Sequence, residues 1–352
     1  MLYKAAKLLK ELDLDCIFLL NPSWQYIDSN FIYFLQPEFE IFESSALIIT
    51  RKKAFLFARE MGERIKRKDI EIRKEKSIEE ILKFLKCFRR IGINARFLPA
   101  RIRDKLVFTG AQIVDISDEL LGLREIKEKS EIRKIEKASR IAEKALAKTI
   151  ESIDFTKSSE IEIAAEIEYY AKRYGAYSLA FPTIVAFDEN SSRVHHTTSK
   201  KCCAKNVVLI DFGVKYKHYC CDITRTFLLT RKKEIVEAYS LVLEAQEKSI
   251  SKIKEGEIAE NIDKLARDIL ERKYPGSFLH ALGHMLGVDV HDGKGLAPSQ
   301  KWVLKESMVL TVEPGVYFKN RFGIRIEDDV IVKKKKCKAI TRFPKEIEKI
   351  ML

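Results

Sequence analysis

The chain has 352 residues, which at about 100 to 200 residues per domain points to two domains. Its composition, 46% hydrophobic and 33% charged, supplies enough apolar area for real cores and excludes wholesale disorder and a disulfide-dependent miniature fold. The net charge of +13 comes from basic residues scattered among Glu on helices, and the dense run Lys333 to Lys336 has no aromatic neighbours, so it reads as solvated helix faces rather than a nucleic-acid surface.

In chain order, MLYKAAKLLKELDLD reads as an amphipathic helix rather than a signal sequence. No apolar run nears the roughly 18 to 20 residues of a membrane span, so a cytoplasmic chain with no membrane partner is expected. Apolar runs CIFLL and ALIIT, a turn at Arg51 to Lys53, AFLFA, the helix SIEEILKFLKCF, and RIGIN and AQIVDIS around LPARIRDKLVF predict a small α/β domain over residues 1–121. A charged helical stretch follows from Leu123, with Ile126, Ile132, Ile135, Ala138, Ile141 and Ala142 along one face. The second domain, residues 122–352, then holds the helix SEIEIAAEIEYYAKRYG closed by a C-cap glycine, and strands YSLAFPTIVAF, NVVLIDFGV and CDITRTFLL. Helices from Lys233 to about Lys254 and from Ala259 to about Arg272 precede VLTVEPGVYF and GIRIEDDVIV. Helices segregated from antiparallel strands make the fold class α+β. The 7 cysteines are expected as free thiols, with the vicinal pairs Cys202-Cys203 and Cys220-Cys221 each giving one buried and one more exposed side chain.

Acids stand where a core would have apolar residues. Asp211 ends the run VVLI, and Asp222 opens a second strand beyond Gly213 and the polar KYKH turn, so a hairpin brings the two carboxylates face to face. Glu313 and Glu327 likewise interrupt apolar strands. Buried carboxylates cost several kcal/mol unless a divalent metal or an arginine cluster pairs with them. The 6 histidines favour the metal, because all but one fall at His195-His196 and at His280, His284 and His291. Singly, each of these residues is an ordinary turn, cap or edge residue; in this order and together they read as a site.

IDFG, CDITRTF, HALGHMLGVDVHD, VLTVEPGVY and GIRIEDD together resemble the metallopeptidases of the creatinase/methionine aminopeptidase "pita-bread" fold, in particular the Xaa-Pro branch of aminopeptidase P and prolidase. The resemblance covers most of Leu123 to Val332, and residues 1–121 are similar in length and alternation to the family's creatinase-like N-terminal domain. It implies five metal ligands, Asp211, Asp222, His284, Glu313 and Glu327, with Asp222 and Glu327 bridging two divalent ions. Mn²⁺ is expected first, and Co²⁺ or Zn²⁺ is compatible with such ligands. It further implies that His291 and His195 stabilise the tetrahedral intermediate, that His280 lies on the leaving-proline side, that Glu313 shuttles a proton, and that Arg325 holds a charged network or the substrate. Proline-containing peptides are the implied substrates and a homodimer the implied assembly.

Two departures bear on specificity. Val194 stands where relatives commonly have proline before the substrate histidine, which leaves His195 and His196 as neighbouring candidates; His195 is preferred. The loop DGKGLAPSQKWVLKESM lacks the arginine that holds a dipeptide's carboxylate in prolidases, with Lys294 or Lys301 as the available point charges. The expectation is therefore aminopeptidase P activity, with prolidase as the alternative. Methionine aminopeptidase would not require the first domain, creatinase does without these ligands, and a catalytically silent binding protein on the same fold would not retain all five.

Overall fold

In the computed structural model, which describes residues 1–23, 25–38, 42–58, 65, 67–74 and 77–352, the amphipathic opening segment forms helix α1 (Leu2–Glu11) and buries Ala5, Leu8 and Leu9. The chain divides into two units, Met1–Arg124 and Glu125–Leu352. The first continues with β1 (Cys16–Asn21), α2 (Ser29–Leu35), β2 (Ser45–Thr50), β3 (Ala54–Phe57), β4 (Ile70–Arg73), α3 (Ile78–Leu85), β5 (Arg90–Ile93), α4 (Ala100–Val107), β6 (Gln112–Asp115) and α5 (Ser117–Glu125). Its sheet has the order β4-β3-β2-β1-β5-β6, antiparallel between β1, β2 and β3 and parallel at β1/β5, β5/β6 and β3/β4. Strand β1 is buried along its whole length, which is why CIFLL shows no polar alternation.

Helix α2 is absent from the sequence reading. All of its residues after the first are buried, so no polar face marks its period. Its start is set by Asp28, whose side chain accepts the Asn30 N–H at 2.8 Å. The expected boundary after Leu121 falls inside α5, and the helix expected from Leu123 is broken at residues 126–128. There the Lys127 ammonium turns inward to pair with Asp292 at 3.4 Å, both side chains closed to solvent. Helix α6 (Lys129–Ser152) restarts behind Glu128, whose N–H donates to Glu131 Oε2 at 2.8 Å.

In the second unit, α7 (Glu160–Arg173) packs on α6, and four of the five strand-like runs split in two, CDITRTFLL giving a single strand. YSLAFPTIVAF gives β7 (Ser178–Leu179) and β8 (Ile184–Phe187) either side of Pro182; NVVLIDFGV gives β9 (Val207–Phe212) and β10 (Val214–Tyr216) either side of Gly213. Then come β11 (Tyr219–Cys220) and β12 (Ile223–Leu228), the paired helices α8 (Lys233–Lys252) and α9 (Ala259–Lys273), and the short β13 (Gly283–His284) and β14 (Gly295–Leu296). The tail gives β15 (Val309–Val312) and β16 (Gly315–Phe318), β17 (Phe322–Arg325) and β18 (Asp328–Ile331), then β19 (Lys338–Ala339) and α10 (Ile347–Ile350). The two halves of each split run join different sheets: β12-β9-β8 and β15-β18-β19 on one side of the breaks, β11-β10-β7 and β16-β17 on the other, with β13-β14 as a separate pair.

Glycine permits one of these transfers. A Cβ on Gly213 would lie 2.2 Å from the Cys221 carbonyl oxygen, so the two arms of the hairpin cross only where a side chain is missing. Lys217 and His218 turn the hairpin with positive φ at both positions, the conformation whose twist suits a tight antiparallel turn. The cysteines are free, but their exposure differs from expectation: Cys220 and Cys221 are both buried, and Cys202 and Cys203 both exposed. Strand alternation does not reach them, because the second pair lies in a loop with Cys203 at φ +65° and the first ends a strand just before a break. Among the described residues no helix is long and apolar enough to cross a membrane.

Candidate metal centre

The strand breaks are where the acids sit. Asp222 lies between β11 and β12, Glu313 between β15 and β16, Glu327 between β17 and β18, and Asp211 two residues before Gly213. A residue at a break leaves the in-out alternation of the ladder, so its side chain can turn toward a common centre. Asp211, Asp222, His284, Glu313 and Glu327, together with His195, His280, His291 and Arg325, line one cavity of about 780 Å³. Asp211 pairs with Thr224 in the β9/β12 register, so the two aspartates are staggered rather than directly opposed.

Within the cavity, Asp222, His284 and Glu327 each bring one ligand atom within 4.8 Å of the others. His284 Nε2 lies 3.7 Å from Asp222 Oδ2 and 3.5 Å from Glu313 Oε1. Its Nδ1 faces the Met285 carbonyl at 3.2 Å; since a carbonyl only accepts, Nδ1 carries the hydrogen and Nε2 presents a lone pair to the carboxylates. Glycine fixes this placement as well: a Cβ on Gly283 would lie 2.0 Å from the Thr311 carbonyl oxygen, so β13 approaches β15 closely enough to aim His284 inward. Thr224 Oγ1 donates to Glu327 Oε2 at 2.7 Å. Asp211 Oδ1, Asp222 Oδ1 and Glu327 Oε1 are buried without a hydrogen-bond partner.

Electrostatics agree with that geometry. Burial, then Glu327 and Asp211, hold the Asp222 carboxyl well above its ordinary range. Burial, then Glu313 and Asp211, do the same for Glu327. Glu313 is pushed up to about 8 by burial and by Asp211, against the opposing pull of Arg325. Burial and then His291 push His284 down to about 3. A neutral imidazole beside closely spaced carboxylates with unfilled lone pairs fits a divalent cation, which would offset the like-charge penalty.

Arg325 answers only part of this charge. Its Nη2 donates to Asp211 Oδ2 at 2.6 Å, its Nη1 to the Tyr317 hydroxyl at 2.8 Å and its Nε to Thr224 Oγ1 at 3.2 Å. His280 Nδ1 donates to the Ala281 carbonyl at 2.8 Å, so the Tyr317 hydroxyl must donate to Nε2, also 2.8 Å away. The result is a relay from Arg325 through Tyr317 to His280. Burial, then Arg325, push His280 down to about 3. His291 stacks edge-on against His284 with ring centroids 4.2 Å apart, and burial and then His195 lower its pKa.

Glu160 separates the two neighbouring histidines. Its carboxylate accepts from His196 Nε2 at 2.8 Å, Ser199 N at 3.0 Å, Ser199 Oγ at 2.6 Å, Phe187 N at 2.8 Å and Asn190 Nδ2 at 2.8 Å. His196 is thereby buried and His195 is exposed, both in the lining of the cavity. Sequence reasoning missed Glu160 because an acid in a helix's first turn is ordinary; Ser159 and Glu162 make the capping box, freeing Glu160 to point inward. It missed Tyr317 and Thr224 because each matches the β-propensity of its strand. Lys294 pairs with Glu125 at 2.8 Å, Lys301 is exposed, and neither lines the cavity.

The model of Metallopeptidase family M24 matches residues 133–334, and that of the Creatinase/Prolidase N-terminal domain matches residues 1–126. The chain is 34% identical over 352 residues to the Xaa-Pro dipeptidase of Pyrococcus furiosus, covering 98% of this chain and 99% of the relative. Among solved structures it is similar to the X-Pro aminopeptidase from Thermotoga maritima MSB8, with a TM-score of 0.90, 31% identity and coverage of 97% and 99% of the two chains. It is equally similar to the prolidase from Pyrococcus horikoshii OT3, with a TM-score of 0.89, 31% identity and coverage of 98% and 99%. The dipeptidase and prolidase relatives favour the alternative over the aminopeptidase P expectation, which rested on one missing arginine. With both models matched in tandem and relatives aligned along nearly its whole length, the chain belongs to metallopeptidase family M24 and carries the creatinase/prolidase N-terminal domain ahead of its peptidase domain.

Proposed function

We propose that the chain is an Xaa-Pro dipeptidase that hydrolyses the bond before proline with two divalent ions. The observation that carries this reading is the close group of Asp222, His284 and Glu327 with partnerless oxygens on both carboxylates, joined in one cavity by the partnerless Asp211 Oδ1. Asp211, Asp222, His284, Glu313 and Glu327 would hold the ions, Mn²⁺ first, with Co²⁺ or Zn²⁺ compatible with the same donors. When bound, such ions polarise a carbonyl and lower the pKa of water.

The chain's own groups account for the remaining needs of the reaction. The tetrahedral state places negative charge on the former carbonyl oxygen, and neutral His291 offers that oxygen one N–H, with His195 facing it from the exposed wall. The leaving group is a secondary amine that departs only when protonated. Glu313 as the carboxylate would take the proton from the attacking water and then, as the carboxyl so formed, give it to the proline nitrogen, which returns the carboxylate. Arg325 is committed to Asp211, Tyr317 and Thr224, so it orients the charged network. His280, fixed by Tyr317 and Ala281, walls the proline side.

The test is hydrolysis of an Xaa-Pro dipeptide and an Xaa-Pro-Xaa tripeptide by chelator-treated protein, before and after addition of Mn²⁺, Co²⁺ or Zn²⁺. Metal-dependent cleavage of the dipeptide with little of the tripeptide is expected. The reverse preference would restore aminopeptidase P, and no cleavage of either with any metal would overturn the enzymatic reading.

A further inference from the structure

Among the described residues, Arg225 is the largest side chain wholly closed to solvent. Its guanidinium has five N–H donors, and each meets an acceptor. Nη1 donates to the Thr224 carbonyl at 2.9 Å and the Glu327 carbonyl at 2.6 Å. Nη2 donates to Asp328 Oδ1 and to the Phe343 carbonyl, both at 2.7 Å, and Nε donates to the Pro344 carbonyl at 3.1 Å. Two acceptors thus come from the Glu327-Asp328 step and two from a segment near the C-terminus. That segment is anchored in turn: Lys345 Nζ donates to Asp328 Oδ2 at 2.7 Å and Gln246 Oε1 at 2.6 Å, and the Tyr239 hydroxyl donates to the Lys345 carbonyl at 2.8 Å. Farther on, Leu352 N donates to the Leu228 carbonyl at 3.0 Å at the end of β12.

A buried Arg-Asp pair adds little net stability over apolar side chains of similar volume, so stability alone does not account for a charged fork inside β12. Position does. Glu327 stands at the break between β17 and β18, where no ladder partner holds its backbone. Its N–H donates to the Thr224 carbonyl at 3.1 Å, its carbonyl accepts from Arg225, and Thr224 Oγ1 holds Oε2, which leaves Oε1 buried without a hydrogen-bond partner.

We propose that residues 343–345 form a strap that positions Glu327 through Arg225, making Arg225 and Lys345 positioning residues of the metal centre. The proposal rests on the reading of Glu327 as a ligand. Release of the strap leaves two Arg225 donors without acceptors and frees the fork to turn away from the Glu327 carbonyl.

The test compares wild-type protein with Arg225→Lys, Lys345→Met, a chain ended after Arg342, and Glu327→Gln as the direct reference. Mn²⁺ alone is titrated calorimetrically into chelator-treated protein, kcat and KM are measured on an Xaa-Pro dipeptide, and folding is followed by circular dichroism. Groups that orient metal ligands typically change affinity by about 10- to 100-fold. Arg225→Lys and the shortened chain are expected to lose Mn²⁺ affinity within that range and to lower kcat with KM little changed, with Lys345→Met toward its lower end. Should the shortened chain fail to fold, Lys345→Met carries the test, since it removes a partly exposed group outside the cavity. Folded Arg225→Lys and Lys345→Met proteins with wild-type Mn²⁺ affinity and kcat would overturn the strap alone. Wild-type protein that binds no Mn²⁺, or a Glu327→Gln protein that binds it as wild type does, would overturn the ligand reading and the strap with it.

Discussion

Glu160→Ala is expected to destabilise the protein by about 3 to 5 kcal/mol, as loss of one partner from a buried charged network does. The wild-type carboxylate is fully buried and accepts five hydrogen bonds, at 2.6 to 3.0 Å, from Phe187, Asn190, His196 and both donors of Ser199. Each orphaned buried donor costs about 1 to 3 kcal/mol, so five would exceed the stated range, but water entering the vacated space satisfies part of the set. Glu160→Gln keeps the volume but turns an amide N–H₂ toward donors, and about 2 kcal/mol is expected, the scale of one charged hydrogen bond. The pH dependence has a definite sign. Burial raises the Glu160 pKa, but the hydrogen bonds from Asn190, Ser199, His196 and the Phe187 N–H outweigh it, so the net value lies below the ordinary 4.5. The native state therefore binds the proton more weakly than the unfolded chain does, and the stabilisation is present above that ordinary value and lost as pH falls through the folded one. Urea unfolding from pH 7 to 3.5 should show wild type losing more stability than Glu160→Gln over the acid limb, and kcat should drop in both variants because His195 rides on the anchored loop. Glu160→Ala within 1 kcal/mol of wild type, or parallel acid limbs, would refute the argument.

Gly283→Ala should cost about 3 kcal/mol or more, because the added methyl meets a backbone oxygen that cannot rotate away; a melting temperature close to wild type would count against the assigned β13/β15 approach. Glu327→Gln should raise the stability of chelator-treated protein at neutral pH by removing a group whose ionisation the folded site penalises, while abolishing the thermal shift that Mn²⁺ gives wild type, about 2.7 kcal/mol at one hundred times Kd. Metal-free wild type should lose stability as pH rises from about 6.5 to about 8, since the Glu313 pKa is raised and the native state holds the extra proton there, while the opposite contribution of the lowered His280 and His284 is complete by their ordinary 6.5; saturating Mn²⁺ should flatten the dependence, and a slope of the opposite sign in that window would contradict it. Tyr317→Phe should fold normally yet lower kcat about tenfold, the equivalent of one hydrogen bond at about 1.4 kcal/mol, by cutting the relay from Arg325 to His280; unchanged kcat would remove Tyr317 from the site.

The candidate site was legible in one dimension because a charged side chain in a strand run contradicts its local environment. Asp211 and Glu313 interrupt apolar runs, Asp222 and Glu327 stand in strand runs that carry Arg225 and Arg325, and most of the few histidines gather close to them in sequence. A carboxylate in such a run demands a cation, and that demand does not depend on how strands pair. The elements with clear periods, such as α1, α7 and α9, were legible for the same local reason. What the tertiary structure decided is where the runs break. Whether VLTVEPGVYF is one strand or two depends on which sheet each half finds, and the crossing at Gly213 depends on Cys221, a neighbour brought close by the hairpin. His196 is held by Glu160, thirty-six residues before it, and the backbone of Glu327 is held by Arg225, itself tied to Phe343 and Pro344. Hydrogen bonds between residues so far apart leave no periodicity in the sequence; they exist only once the sheets have packed and buried polar groups must find partners.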